Sequence, residues 1–333
     1  MKTAIIIASN RKNSIEDFIQ AWRFKSSKRY KVFVIEDGPS KTFNLPRFVK
    51  HYCWVDIPKK IRDLVPTKSS ALKNLGFYFA YKQGYDYFLC LDDDVLPENS
   101  SQSIDDVISS HLKILNSKIT KSRWAGRTFN TLAYDYPRGF PECEKEEDDK
   151  LLDVKLSIGS WMNIPDIDGK TQMRYEKSHR PFPKHNMQDF IIPCGQLGPI
   201  CGMHLFFDRD ALPYMYFFPT LDTFYRWDDI WMGFLLKVIC DEKQWCIHHS
   251  GSIALNHSRA SDSKKNYELE SKNDGYDVND EFYMQASTSD SNRIGGSGKK
   301  FFHYLLNHMK DSMGMPYFNE ALDYYEKWVG LFK

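Results

Sequence analysis

The sequence lacks paired cysteines, a long apolar run and a surplus of charge of either sign. Its seven cysteines, Cys53, Cys90, Cys143, Cys194, Cys201, Cys240 and Cys246, are scattered, and several sit inside apolar runs. That argues against a disulfide frame or a zinc site and suits reduced thiols packed as small hydrophobes. No apolar run approaches the roughly 20 residues of a membrane-spanning helix. The opening MKTAIIIASN is too short in its apolar part for a signal peptide or an anchor. Lysine plus arginine number 45 against 44 aspartate plus glutamate, which gives no support to general nucleic-acid or anionic-membrane binding. The local basic stretch RFKSSKRYK reads as a solvated helix end and turn. No internal repeat is visible. The expectation is a soluble, cytoplasmic protein without a membrane span, its homo- or hetero-oligomeric state left open.

What is present is a large core: 42% of the 333 residues are hydrophobic and 15% aromatic, enough for one large domain or a domain with an appendage. TAIIIAS (residues 3–9) is a continuous β-branched run, the pattern of a strand buried on both faces. Ser14 with Asp17 resembles a capping box for a following helix that places Ile15, Phe18, Ile19 and Trp22 on one face. KVFVI (residues 31–35) reads as a second buried strand ending in the polar turn EDGPSK, so strand, helix and strand form a parallel crossover. A helix over residues 69–83, capped by Ser69 and stopped by Gly84, leads into a third strand, YDYFLCL. A helix over 104–115 and a strand near WAGRTF continue the alternation.

From 134 to 196 the chain is rich in Pro, Gly, aromatics and charges, and loops with short strands are expected there as an insertion covering substrate. RWDDIWMGFLLKVICDEK then places Trp231, Leu235, Val238 and Ile239 on one helical face, with Asp228 and Asp229 in the first turn, where carboxylates complement the helix dipole. After His257 a polar, Gly/Ser-containing stretch runs to about Gly298, followed by a C-terminal helical region. The fold class is α/β, a Rossmann-like arrangement with a central mostly parallel sheet. Residues 1–261 form the expected catalytic domain, and 262–333 a polar linker with a helical extension packed on it.

FLCLDDDV drives a buried strand into Asp92, Asp93 and Asp94. Like charges that close need a cation, and open α/β sheets place ligands at the carboxyl ends of their strands. A metal-bridged diphosphate meets both conditions, because a hard divalent cation takes carboxylate oxygens. An aspartyl phosphatase also puts Asp-x-Asp after a strand, and a solvated acidic turn is the bland alternative. Asp37 in EDGPSK is placed to accept hydrogen bonds from a base or ribose, although Asp-Gly-Pro is also a common turn. His257 in ALNHSRAS is a candidate metal ligand, though a lone histidine is more often structural. Arg138 in YDYPRGFP sits among rigid and aromatic residues where a guanidinium could clamp phosphate or sugar hydroxyls.

The blocks EDGPSKT, LDDDV, RTFNTLAYDYPRGFP, GSWMNIPDIDGKTQ, CGMHLFFDRD, RWDDIWMGFLLKVICDE and HSRAS, in this order and spacing, resemble the UDP-arabinopyranose mutases, also called reversibly glycosylated polypeptides. The closing PYFNEALDYYEKWVGLF is similar to that family's last helix, so the likeness covers nearly the whole chain. The resemblance implies a GT-A-like nucleotide-sugar fold, a divalent cation (Mn²⁺ or Mg²⁺), a UDP-sugar substrate and interconversion of the pyranose and furanose forms of UDP-arabinose. It also implies that Arg138 becomes reversibly glycosylated. The chain departs from the family pattern at Lys145, where an arginine is usual, and at His204, where an asparagine is usual. The resulting candidates are Arg138, Asp228 and Asp229 for catalysis; Asp37, Lys68, Asp92, Asp93, Trp161 and Lys145 for substrate; and Asp92, Asp94 and His257 for the metal. A guanidinium with a pKa above about 12 has no lone pair for attack, so a carboxylate, Asp135 or one of Asp228 and Asp229, would have to take its proton. A glycosyltransferase acting on an external acceptor would use the same donor site, with the acceptor a polysaccharide, a protein or a modified nucleic-acid base. A subunit that only binds a true mutase or synthase is the non-enzymatic reading.

Overall fold

The structure, a computed structural model, describes residues 1–120, 151–164, 166–178, 189–192, 194–258, 262–289 and 298–332. The isoleucine run becomes strand β1 (Thr3–Ser9), which leads through helix α1 (Lys12–Ala21) to β2 (Tyr30–Glu36) and the short β3 (Lys50–Tyr52). A 3₁₀ turn at Ser70–Leu72 opens helix α2 (Lys73–Lys82), which is followed by β4 (Tyr87–Leu91), β5 (Val95–Leu96), helix α3 (Ile104–Leu115) and β6 (Lys118–Thr120). Ile5 of β1 lies beside Val32 of β2 and Leu89 of β4, both pairings parallel. Alternation across the pleat then divides the side chains. Ile6, Phe33, Ile35 and Phe88 join the core under α2, whereas Ile5, Ile7, Val32, Val34 and Leu89 join a second core with Ile15, Phe18 and Trp22 of the α1 region and Ile104 and Val107 of α3. The face expected for α1 is therefore the buried one. Helix α2 presses so close to the sheet that a β-carbon on Gly76 would meet Ile6 Cγ2 at 2.5 Å. Gly84, at φ +75°, ends the α2 segment as expected.

Downstream come β7 (Leu151–Asn163), α4 (Gly169–Ser178), β8 (Phe190–Ile191), β9 (His204–Asp208), α5 (Asp228–Glu242) and β10 (Trp245–His257). The sheet order is β3-β2-β1-β4-β9-β7-β10-β5, with β6 on β7 and β8 on β10. Antiparallel β9 borders parallel β4, so the aspartates after β4 stand where the sheet changes direction. The α/β class with a mostly parallel central sheet agrees with the sequence. Among the described residues none of the six cysteines is in a disulfide, Cys53, Cys90, Cys240 and Cys246 are buried, and no helix is long and apolar enough to cross a membrane.

Several local expectations change. Helix α1 begins at Lys12, and Ser14 is inside it rather than at its cap. The Ser9 hydroxyl instead accepts the Arg11 N–H at 2.9 Å, a tie from the preceding strand. The region expected to hold loops and short strands contains the 13-residue β7, whose Val154, Leu156 and Ile158 are buried. Its alternating pattern was hidden by the Pro-rich and charged sequence around it. The stretch read as a polar linker after His257 carries helices α6 (Ser263–Glu270) and α7 (Gly275–Ser287). The buried residues of α6 are polar, Ser263, Asn266 and Glu270, so no apolar period marks it. Helices α8 (Gly298–Met313) and α9 (Pro316–Val329) bury Phe302, Leu305, Leu306 and Met309 and then Phe318, Leu322, Tyr325 and Trp328 against the α5 side of the sheet. The strand expected near WAGRTF lies outside the described residues.

Candidate active site

The carboxyl ends of β1, β2 and β4 bring Ser9 and Arg11, Asp37, and the three aspartates to one edge of the sheet. Each aspartate has a cation from the protein itself. Lys73, the first residue of α2, points its ammonium at Asp92 Oδ1 (2.5 Å) and at the Gly202 carbonyl (3.1 Å). Burial works to lower the Lys73 pKa, but Asp92 beside it outweighs that and holds it above the ordinary value. Arg11 Nε donates to Asp93 at 3.1 Å, and its Nη2 reaches both Asp93 and, at 3.2 Å, Asp94. Ser9 Oγ adds a 2.5 Å bond to Asp93, which is only 2% exposed. A carboxylate so enclosed survives by being paired and fully hydrogen-bonded. The strand end thus does need cations, but Lys73 and Arg11 supply part of that charge.

Two joined concavities open over this edge. One, of about 300 Å³, is lined by Ser9, Asn10, Arg11, Asp37 and the aspartates. The other, of about 460 Å³, runs from Lys68, Lys73, Asp92 and Asp94 to Asp166, Arg226, Asp228 and Asp229. Lys68, Ser69, Ser70, Lys73, Asp92 and Asp94 belong to both, so they form a single cleft. Asp37 Oδ1 accepts from Trp54 Nε1 at 2.7 Å and from the Lys68 N–H at 2.9 Å. The second bond helps hold Lys68 in a left-handed conformation, φ +59°.

On the opposite wall the first turn of α5 presents Asp228, which accepts from Ser70 Oγ, and Asp229, which accepts the Gly202 N–H at 2.9 Å. A helix N-terminus favours carboxylates, yet burial dominates here. Burial raises both pKa values, and the charge of Asp228 helps push Asp229 up to about 8. The pair behaves as one coupled acid that retains a proton near neutral pH, the property of a general acid or base.

The structure therefore brings Asp37, Lys68, Asp92, Asp94, Asp228, Asp229 and His257 to the cleft. Asp93 also lines it but is engaged by Ser9 and Arg11. Trp161, in β7, packs against the core around Ile5 and Leu255 and is not among the cleft-lining residues. Arg138, Lys145 and Asp135 lie outside the described residues. Arg11, Lys73 and Arg226 were missed by sequence reasoning. Each pairs with an acid 19 or more residues away, so spacing carries no signal for it.

For the metal candidates the geometry is divided. His257 Nδ1 donates to the Ile164 carbonyl at 2.8 Å, which turns Nε2 toward Asp94 Oδ1, 4.0 Å away. A backbone carbonyl fixing the tautomer in this way is the usual support of a ligating histidine. Asp92 is occupied by Lys73, and Asp94 Oδ2 by Arg11. Among the described residues no group of three or more His, Cys, Asp or Glu side chains is gathered to hold a metal ion. Asp94 and His257 fit one divalent cation as a nitrogen and oxygen donor pair, with remaining positions for phosphate oxygens and water.

These features define an α/β protein with an acidic cleft at the carboxyl ends of its parallel strands. The chain belongs to the reversibly glycosylated polypeptide family, whose description matches residues 2–333. It is similar to the probable UDP-arabinopyranose mutase 1 of Pisum sativum, 30% identical over 332 residues, covering 94% of this chain and 86% of that protein. It is also similar to UDP-arabinopyranose mutase 3 of Arabidopsis thaliana, 32% identical over 274 residues, covering 76% and 70%. Solved structures align loosely. That of GalNAc-T7 with UDP, GalNAc and Mn²⁺ covers 98% of this chain and 54% of its own at 10% identity and TM-score 0.42, a likeness too slight to argue from.

Proposed function

We propose that this chain is an enzyme, a metal-dependent mutase that interconverts the pyranose and furanose forms of UDP-arabinose, with Arg138 as a reversible glycosyl carrier. The observation that carries the reading is the acidic cleft in a chain matched end to end by the mutase family. The nucleoside lies toward Asp37, whose second oxygen is available to a base or ribose. Asp94 and His257 would hold a divalent cation, which when bound would neutralise the diphosphate of the departing UDP. Lys73 keeps Asp92 fixed beside it.

The net reaction replaces the C1–O5 bond of the sugar with a C1–O4 bond and moves one proton from O4 to O5. The carboxyl pair is suited to that transfer: Asp229, protonated near neutrality, donates to the ring oxygen, and Asp228 accepts. If Arg138 carries the sugar, the C1–O bond to UDP breaks as a C1–N bond forms, and the guanidinium proton passes to the ionised member of the same pair. Reversal returns the sugar to UDP.

The test is incubation of the protein with Mn²⁺ and UDP-arabinopyranose, without acceptor, followed by NMR of ring form and UDP release. Ring-isomerised UDP-sugar is the expected result. No conversion until a saccharide or protein acceptor is added would overturn the mutase reading in favour of a transferase. Arg138→Ala should abolish labelling by a radioactive UDP-sugar; persistent labelling removes Arg138 from its role.

A further inference from the structure

Arg226 adopts φ +69°, in the left-handed region that a β-carbon disfavours and glycine takes freely. Leu221 and Asp222 of the same loop are left-handed too, at φ +48° and +58°. A chain retains such strain where surrounding structure enforces it for a purpose, commonly at ligand sites. Core packing does not supply the purpose, because the Arg226 side chain is 34% exposed and lines the larger part of the cleft beside Asp228 and Asp229.

The side chain is nevertheless aimed. Its Nε donates to Glu270 Oε1 at 2.7 Å. Glu270, 3% exposed, is itself fixed through Oε2 by the Gly169 N–H at 2.7 Å and the Tyr276 hydroxyl at 2.5 Å. One edge of the guanidinium is thus clamped by α6. The terminal Nη groups make no hydrogen bond to any described residue. A planar donor fork held at one edge and open at the other is preorganised to bind a ligand.

The ligand chemistry follows from the neighbours and rests on the reading above, that a UDP-sugar occupies the cleft. With the nucleoside toward Asp37 and the diphosphate toward Asp94 and Lys73, the wall of Asp166, Arg226 and Asp229 is left for the sugar. That wall mixes a donor fork with carboxyl acceptors. A second phosphate would meet those carboxylates, whereas a neutral polyhydroxylated ring both accepts from the guanidinium and donates to them. We propose that Arg226 grips the sugar of the bound nucleotide, donating its terminal N–H groups to pentose hydroxyl oxygens, with Glu270 as its positioning residue.

The test measures binding by calorimetry, with Mn²⁺, of UDP and of UDP-arabinopyranose to wild type, Arg226→Gly and Arg226→Lys, together with melting temperatures. Arg226→Gly should bind UDP within about twofold of wild type, yet bind UDP-arabinopyranose at least about tenfold more weakly, the loss expected for charge-assisted hydrogen bonds. It should melt lower than wild type, because the buried Glu270 loses its cation and the relieved backbone offsets only part of that. Arg226→Lys keeps the charge but not the fork and should show the same selective loss. If Arg226→Gly does not fold because Glu270 is left charged, Arg226→Gly/Glu270→Gln takes its place. Equal loss for UDP and UDP-arabinopyranose, or no loss for either, overturns the proposal. Because the readout is binding, a wild type that binds UDP-arabinopyranose without interconverting it overturns the proposed activity and leaves the role of Arg226 standing.

Discussion

Replacing Asp229 by Asn should change how stability depends on pH. The Asp229 pKa rises from 3.8 to about 8 because burial and then the Asp228 charge disfavour its ionised form. Its folded pKa is thus above its unfolded one, so the native state binds the extra proton. The associated stability is fully present below about pH 3.8 and is lost as pH rises through about 8. At about 1.36 kcal/mol per tenfold change in the protonation constant, the upper bound is about 6 kcal/mol. Asp229 faces the cleft, where water screens it, and part of the effect belongs to Asp228. A loss of about 2–3 kcal/mol between pH 5 and 8.5 is the working figure. Asn retains an acceptor for the Gly202 N–H and has no proton to lose. Urea unfolding of both proteins across this range gives the difference in stability, in which titrating groups remote from the Asp228–Asp229 pair cancel. Wild type should decline relative to Asp229→Asn as pH rises. A difference constant to within about 0.5 kcal/mol, smaller than one tenfold step, or one of opposite slope, refutes the reasoning.

Lys73→Met should destabilise the fold by about 1–3 kcal/mol, seen as a lower urea midpoint at unchanged m-value. The discount from a fully buried pair follows because the Asp92 side chain is 37% exposed and can hydrate. Gly76→Ala should cost about 1–2 kcal/mol in the same assay, since the new methyl meets Ile6 Cγ2 while helix propensity improves slightly. His257→Ala should weaken Mn²⁺ binding, read by electron paramagnetic resonance, by about tenfold or more and leave the far-UV spectrum unchanged; unaltered affinity would remove His257 from the cation site.

The strands and the strand-end aspartates could be read from the chain because their information is local. Ile5 to Ile7 and Leu89 to Leu91 are continuous apolar runs, and the polar residues that follow mark where each strand ends. The first turn of α5 was visible for the same reason. Helix α6 was not, because it buries Ser263, Asn266 and Glu270, and a polar buried face has no hydrophobic period. Nor was β7 legible, whose alternation of Val154, Leu156 and Ile158 was submerged in the surrounding composition. The cleft was only half visible. Its acids cluster in sequence, but Arg11 meets Asp93 across 82 residues and Lys73 meets Asp92 across 19.

The sequence by itself determined the α/β alternation and where carboxylates emerge from the sheet, since burial and backbone pairing act on neighbouring residues. Tertiary structure alone decided which cations neutralise those carboxylates, that Asp229 keeps a proton near neutrality, and that Arg226 is bent into the cleft. Those outcomes depend on desolvation and on distances between segments far apart in the chain, and no local pattern encodes either.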